Sequence, residues 1–230
     1  MASKKTPAAH SSSTLILLVR HGQTPTTGKI LPGRAAGLHL AEAGVQQAHM
    51  VAERISELPR VDAIYASPLE RARETAAPIA KALKQRVKIN KGLLECDFGD
   101  WTGEQLGTLM KKPEWATVQR SPSTFRFPNG ESFTEMQTRM VTALDGIRAA
   151  HPGGIVVCVS HADPIKAAVA HAMGTAAGPR SEQDPARRRH GQRQHPRHAF
   201  GDRRNNLWCS QQHLVAGQRC GHRLHHDGRC

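Results

Sequence analysis

Leu15-Ile16-Leu17-Leu18-Val19 runs directly into Arg20-His21-Gly22. A short unbroken run of Leu, Ile and Val suits a strand buried on both faces of a parallel sheet rather than one with a wet side. A polar cluster just past its carboxyl end lies where open α/β sheets bind their ligands. The same arrangement recurs once: Ile155-Val156-Val157-Cys158-Val159 leads into Ser160-His161-Ala162-Asp163. Two buried strands, each delivering a histidine at its end, imply two imidazoles converging on one crevice. An arginine beside the first adds a fixed positive charge, and the combination points to phosphate chemistry.

Two further stretches lie between these strands. Val61 to Ala66 is a third apolar run, followed by Ser67-Pro68-Leu69-Glu70-Arg71-Ala72-Arg73-Glu74-Thr75-Ala76. Later comes Leu93-Leu94-Glu95-Cys96-Asp97-Phe98-Gly99-Asp100-Trp101-Thr102-Gly103. Together these resemble the histidine phosphatase superfamily, also called phosphoglycerate mutase-like. Its pattern is an RHG box, an S-x-L-x-R-A-x-x-T-A helix start, an E-x-x-x-G-x-W-x-G turn and a late S-H box. All four occur in order across residues 15 to about 173. The resemblance implies an α/β fold, a three-layer α/β/α sandwich around a mostly parallel sheet.

It also implies a metal-independent phosphatase that hydrolyses phosphate monoesters through a phosphohistidine, with His21 as the nucleophile. Attack needs a neutral imidazole, and a reference pKa near 6.5 with cations alongside favours that form. Arg20 and Arg71 fit as clamps, since a guanidinium fork grips two phosphate oxygens and stays charged. Arg73 is expected to be solvated or to support the site from behind the residues that touch phosphate. His161 would donate to an equatorial oxygen as charge spreads during transfer. Glu95 is carried over as the proton donor and acceptor, with Asp97 and Asp100 as neighbouring alternatives and Asp97 expected to face solvent. Asp163 would either orient a histidine or cap the helix after it. Gln23, Thr24 and Gly33 are further phosphate-holding positions, and Gly22 is expected to serve a tight turn. No cofactor is implied, and the acids do not cluster with histidines at metal-ligand spacing. The partner is a small phosphorylated metabolite. Phosphoglycerate mutase-like phosphotransfer is the rival. Hydrolysis is favoured because the irregular segment 104–129 is short and lacks an additional basic clamp.

The organisation follows from periodicity and punctuation. Residues 1–13 read as a disordered lead-in, and residues 14–174 as the α/β domain, with 104–129 as a lid-like insertion broken by Pro113, Pro122 and Pro128. A helix fits Glu42 to Leu58, burying Val45, Ala48, Ala52 and Ile55. Ser67-Pro68 is expected to open the next helix as cap and first residue, with Ala72, Ala76, Ile79 and Leu83 inward. Strand signal recurs at Val87 to Ile89. Phe133, Met136, Met140, Leu144 and Ile147 share one face of a later helix, and a last helix is expected from Pro164 to Met173.

Composition sets bounds. The 230 residues carry a net charge of +13 and 38% hydrophobic content, enough for one ordinary domain. No apolar run approaches bilayer length, so a cytoplasmic protein is expected. Cys96 and Cys158 read as core filler. From Ala176 to Cys230 there are 11 arginines and no lysine against four acidic residues, with seven of the 14 histidines. Helical and strand periodicity both stop there, whereas the resembled family continues with a helix and closing strands. Three readings of residues 175–230 stand side by side. One is out-of-frame coding, giving an inactive, aggregation-prone product with an uncovered sheet edge. Another is a basic arm for nucleic acid, and the third a zinc site on Cys209, His213, Cys220, His222, His225, His226 and Cys230.

Overall fold

The computed structural model describes residues 13–174. Four strands form one sheet: β1 (Leu15–Arg20), β2 (Ala63–Ala66), β3 (Val87–Ile89) and β4 (Ile155–Ser160). They lie in the order β1-β4-β2-β3, and every pairing is parallel. The helices are α1 (Glu42–Ser56), α2 (Glu70–Leu83), α3 (Leu106–Leu109), α4 (Trp115–Arg120), α5 (Phe133–Ala150) and α6 (Ala162–Ala172).

Strand alternation makes the three layers. Leu17, Val19, Ile64, Ala66, Val157 and Val159 pack on one side against Ala52 and Ile55 of α1 and Ala72, Ala76 and Ile79 of α2. Ile16, Leu18, Ala63, Tyr65, Val156 and Cys158 face the other way onto Met140, Leu144 and Ile147 of α5 and Ile165 and Ala168 of α6. Both faces of the sheet are covered, which is why these strands read as continuous apolar runs. A third cluster, built from Leu31, Cys96, Phe98, Trp101, Leu109, Trp115, Phe127 and Met136, is largely aromatic. The segment expected to be irregular therefore contains α3 and α4 and buries Leu109 and Trp115 in apolar contact.

Several local expectations are corrected. In α1 it is Gly44, not Val45, that turns inward; Val45 is 45% exposed. The helix ends at Ser56, before Leu58. Ser67 and Pro68 do not open α2, which starts at Glu70 with Leu69 in the extended cap position and no side-chain cap. The Ser67 hydroxyl is used elsewhere, as shown below. Helix α6 starts at Ala162, before Pro164. Helix α5 carries a full capping box, with Ser132 and Glu135 each bonding the other's backbone N–H.

Chain order explains the position of the site. The path β1–α1–β2–α2–β3 moves outward, and β4 then returns to insert between β1 and β2. At such a switch the loops leave in opposite directions and open a crevice at the strands' carboxyl ends. No described helix is long and apolar enough to cross a membrane. The expectations for residues 1–12 and 175–230, including the closing strands, the nucleic-acid arm and the zinc ligands, lie outside the described residues.

Candidate active site

The register pairs Arg20 with Ser160, so the next residues, His21 and His161, leave adjacent strands at the same level. Their rings lie 5.1 Å apart, centroid to centroid. Both are buried, as are Ser67, Arg71, Thr75 and Glu95. Ser67 follows β2, the next strand over, and Arg71 sits in the first turn of α2. Three adjacent strand ends thus supply half of the cluster, and the first turns of α2 add Arg71 and Thr75.

Each histidine is held in a defined form. His21 Nδ1–H donates to the Gly22 carbonyl at 2.7 Å, which puts the ring's lone pair on Nε2. Burial, then the charges of Arg71 and Arg20, push its pKa down to about 3, against the backbone bond that favours the cation. His161 is fully buried and held well below its ordinary range, first by burial and then by Arg71 and His21. Its Nε2 is 2.8 Å from Ser67 Oγ. Ser67 Oγ also accepts the Leu69 N–H at 3.4 Å, and its hydroxyl can either donate to that nitrogen or accept from it. When Ser67 donates, the ring proton of His161 sits on Nδ1.

Arg71 is the central cation. Its Nε–H donates to His21 Nε2 at 3.4 Å and its Nη2–H to the Gly33 carbonyl at 2.8 Å. Gly33 has φ +49°, and a Cβ there would lie 2.7 Å from Thr102 Oγ1, so both backbone and space demand glycine. Arg71 Nη1 and His161 Nδ1 are buried without a hydrogen-bond partner. Two buried nitrogens without a partner in one cluster, one of them on a guanidinium, suit an incoming anion. Arg20, at the end of β1, and Arg73 are exposed.

Glu95 arrives from the loop after the Lys91–Leu93 3₁₀ turn. Its Oε1 accepts the Cys96 N–H at 2.9 Å. Burial first, then Asp163, pushes its pKa up to about 8 against the pull of Arg71 and Arg20. Asp97 faces Arg34 at 3.4 Å, its side chain 40% exposed, and Asp100 accepts from Asn129. Asp163 is in the first turn of α6 and pairs with Lys166, with no side-chain cap on that helix. Cys96 is buried and its thiol pKa is pushed up, chiefly by burial.

Gly22 is not in a left-handed turn. A Cβ there would fall 2.4 Å from the Gly44 carbonyl oxygen, and one on Gly44 would fall 2.0 Å from that of Gln23. The two glycines let the loop after β1 press against α1, and the Gly22 N–H donates to Thr75 Oγ1 at 3.0 Å. Gln23 is tied to α1 through its N–H and Gln47 Oε1, 2.9 Å. The Thr24 hydroxyl lies within 3.0 Å of that of Thr27. A groove of about 750 Å³ bordered by His39, Glu70, Glu74 and Ile89 contains neither histidine. Among the described residues no group of three or more His, Cys, Asp or Glu is placed to hold a metal ion.

The profile of the histidine phosphatase superfamily (branch 1) matches residues 16–190. The chain belongs to that superfamily. It is a histidine-type phosphatase, a hydrolase of phosphate monoesters. It is 33% identical over 164 residues to phosphoserine phosphatase 1 of Hydrogenobacter thermophilus, covering 69% of this chain and 76% of that one. It is 33% identical over 171 residues to a metal-independent phosphoserine phosphatase of Arabidopsis thaliana, covering 68% of each. The structure of a mycobacterial glucosyl-3-phosphoglycerate phosphatase superposes with a TM-score of 0.65 at 26% identity, over 70% of this chain and 80% of that one.

Sequence reasoning missed Ser67 as a partner of His161, reading it as a helix cap. It also missed Arg34, Glu131 and Arg139, which meet behind Glu95. Nothing in their spacing marked them, because they come from a loop, a turn and a helix far apart in the chain.

Proposed function

We propose that this histidine phosphatase hydrolyses small phosphorylated metabolites without a metal, through a phosphohistidine on His21 Nε2. The observation that carries the proposal is the pair of buried neutral imidazoles 5.1 Å apart with Arg71 between strand ends. In the first step the Arg71 Nε–H turns from His21 Nε2 to a phosphoryl oxygen, the freed Nε2 lone pair forms a bond to phosphorus and the ester P–O bond breaks. Protonated Glu95 gives its proton to the departing oxygen. In the second step water attacks phosphorus, Glu95 takes back a proton, and the P–N bond breaks to release phosphate. A carboxyl held near pKa 8 is suited to begin as the acid at neutral pH.

Arg20 and Arg71 neutralise the phosphoryl oxygens, and His161 Nδ1–H donates to one of them. Gly22, Gln23, Thr24 and Gly33 shape the loop beneath the phosphate. Hydrolysis is preferred to mutase-type transfer because two cations of the 104–129 segment are engaged elsewhere. Arg126 pairs with Glu135, and Lys112 lies over the Trp101 ring at 5.9 Å. That segment acts as the wall over the leaving group, in a cytoplasmic enzyme. The proposal further takes residues 14–174 as the catalytic domain.

The test is turnover of phosphate monoesters with EDTA present, with rapid quenching and peptide mapping. A phosphate adduct on the peptide holding His21, lost together with activity in His21→Ala, is the expected result. Activity that needs added metal, or survives His21→Ala, overturns the proposal.

A further inference from the structure

Behind Glu95 three charged side chains from separate segments converge. Arg34, directly after Gly33, donates Nε–H to the Glu95 carbonyl at 3.0 Å and Nη2–H to Glu131 Oε1 at 2.6 Å. Arg139, on α5, donates Nη2–H to the same Glu95 carbonyl at 3.2 Å. It binds Glu131 in a two-pronged fork, Nε to Oε1 and Nη2 to Oε2, each at 3.0 Å. Its Nη1 holds the carbonyls of Gly92 at 2.8 Å and Leu94 at 3.1 Å. Glu131 Oε2 also accepts the Asp97 N–H at 3.2 Å.

Glu131 therefore fastens Glu95–Asp97 twice, at the Asp97 amide directly and at the Glu95 carbonyl through both arginines. The carboxyl of Glu95 is bonded to the Cys96 N–H within that same segment, so the main chain and the acid move together. Burial pushes the Glu131 pKa up, but hydrogen bonds from Arg139, Asp97 and Arg34 outweigh it and hold the group ionised below the ordinary carboxylate range. A permanent anion between two guanidinia keeps them from repelling each other across one carbonyl.

We propose that Glu131 is a positioning residue for proton transfer: through Arg34 and Arg139 it sets the place and the electrostatic surroundings of Glu95. The inference rests on the reading of Glu95 as the acid. The charge arrangement makes the two halves of the network act oppositely on it. Glu131→Gln removes a negative charge and leaves two guanidinia beside Glu95, favouring its ionised form. Arg34→Gln removes a positive charge and favours its protonated form.

The experiment compares wild type, Glu131→Gln, Arg34→Gln and Glu95→Gln on p-nitrophenyl phosphate and on glycerol phosphate, with EDTA present. The nitrophenolate leaves without a proton, whereas the alkoxide needs one. Glu131→Gln is expected to lower kcat on glycerol phosphate by about ten- to a hundredfold, the scale of a misplaced catalytic group. KM stays within about twofold, and the loss on the nitrophenyl ester is smaller. The basic limb of kcat/KM should move to lower pH in Glu131→Gln and to higher pH in Arg34→Gln. Equal losses on both substrates, or limbs that do not move in opposite directions, overturn the inference. If Glu131→Gln does not fold, Arg34→Gln alone decides, by its substrate-dependent loss and upward limb. A wild type that turns over while Glu95→Gln costs nothing overturns the reading of Glu95 itself, and this inference with it.

Discussion

Ser67 Oγ lies 2.8 Å from His161 Nε2, both fully buried. The hydroxyl comes from the end of β2 and the imidazole from the end of β4, neighbouring parallel strands. It engages one ring nitrogen of His161 and leaves the other, Nδ1, without a hydrogen-bond partner. Ser67→Ala leaves Nε2 buried with no partner and releases the ring from its hydrogen bond. An expected loss of about 1–3 kcal/mol of transition-state stabilisation corresponds to roughly a 5- to 150-fold drop in kcat/KM. Steady-state kinetics on a small phosphate ester check this, and Ser67→Thr, which keeps the hydroxyl, should retain more activity than Ser67→Ala.

The pH profile follows from two displaced groups. His21, pushed down to about 3, stays neutral through the mildly acid range, so the nucleophile is not what ends activity there. Glu95, pushed up to about 8, loses its proton above that value and with it the ability to protonate an alkoxide. The expected kcat/KM for an alkyl phosphate falls on the basic side with an apparent pKa near that of Glu95. Glu95→Gln should cost about 10²–10⁴-fold and remove this limb. A profile flat through the alkaline range would contradict the assignment.

The same displacement predicts a stability difference of defined sign. In the unfolded chain Glu95 titrates near 4.5, and in the fold its pKa is raised. Its proton therefore favours the folded state below about 4.5, and the contribution disappears as pH rises through about 8. Glu95→Gln carries no charge to bury. The variant should match wild type near pH 4.5 or below and exceed it by a margin that grows up to about pH 8, measured by urea unfolding at each pH. A gap that narrows with rising pH would refute this.

Gly22 and Gly44 allow two backbones to touch. With a Cβ on Gly22 only 2.4 Å from the Gly44 carbonyl oxygen, Gly22→Ala forces the loop off α1. The expected cost is about 1–3 kcal/mol or more, the range for overpacking. Activity should fall beyond what instability explains, since Gly22 accepts the hydrogen bond that orients His21. Denaturant titration and kcat at a temperature where the variant is fully folded separate the two effects.

How much of this was legible beforehand differs by element. The apolar runs Leu15–Val19 and Ile155–Val159 announced buried parallel strands because both of their faces need cover, and that pattern depends on local residues alone. Leu83 and the other inward residues of α2 followed from helical spacing in the same way. The helix start at Ser67 was misread because a serine before a proline has the local chemistry of a cap. The competing use of its hydroxyl lies 94 residues away, on His161. Val45 was misread because the tight approach of Gly22 to Gly44 turns α1 so that glycine, rather than valine, faces the loop.

By itself the order of residues determined the strand and helix types, the layered class and the identity of the paired histidines, because these depend on periodicity and on motifs a few residues long. Only the tertiary structure decided which nitrogen of each imidazole is bonded, how far burial displaces His21 and Glu95, and that Arg34, Glu131 and Arg139 meet behind Glu95. Those properties are set by distances of a few ångströms between segments remote in the chain. Coulombic and desolvation energies change steeply over such distances, whereas sequence separation carries no measure of them.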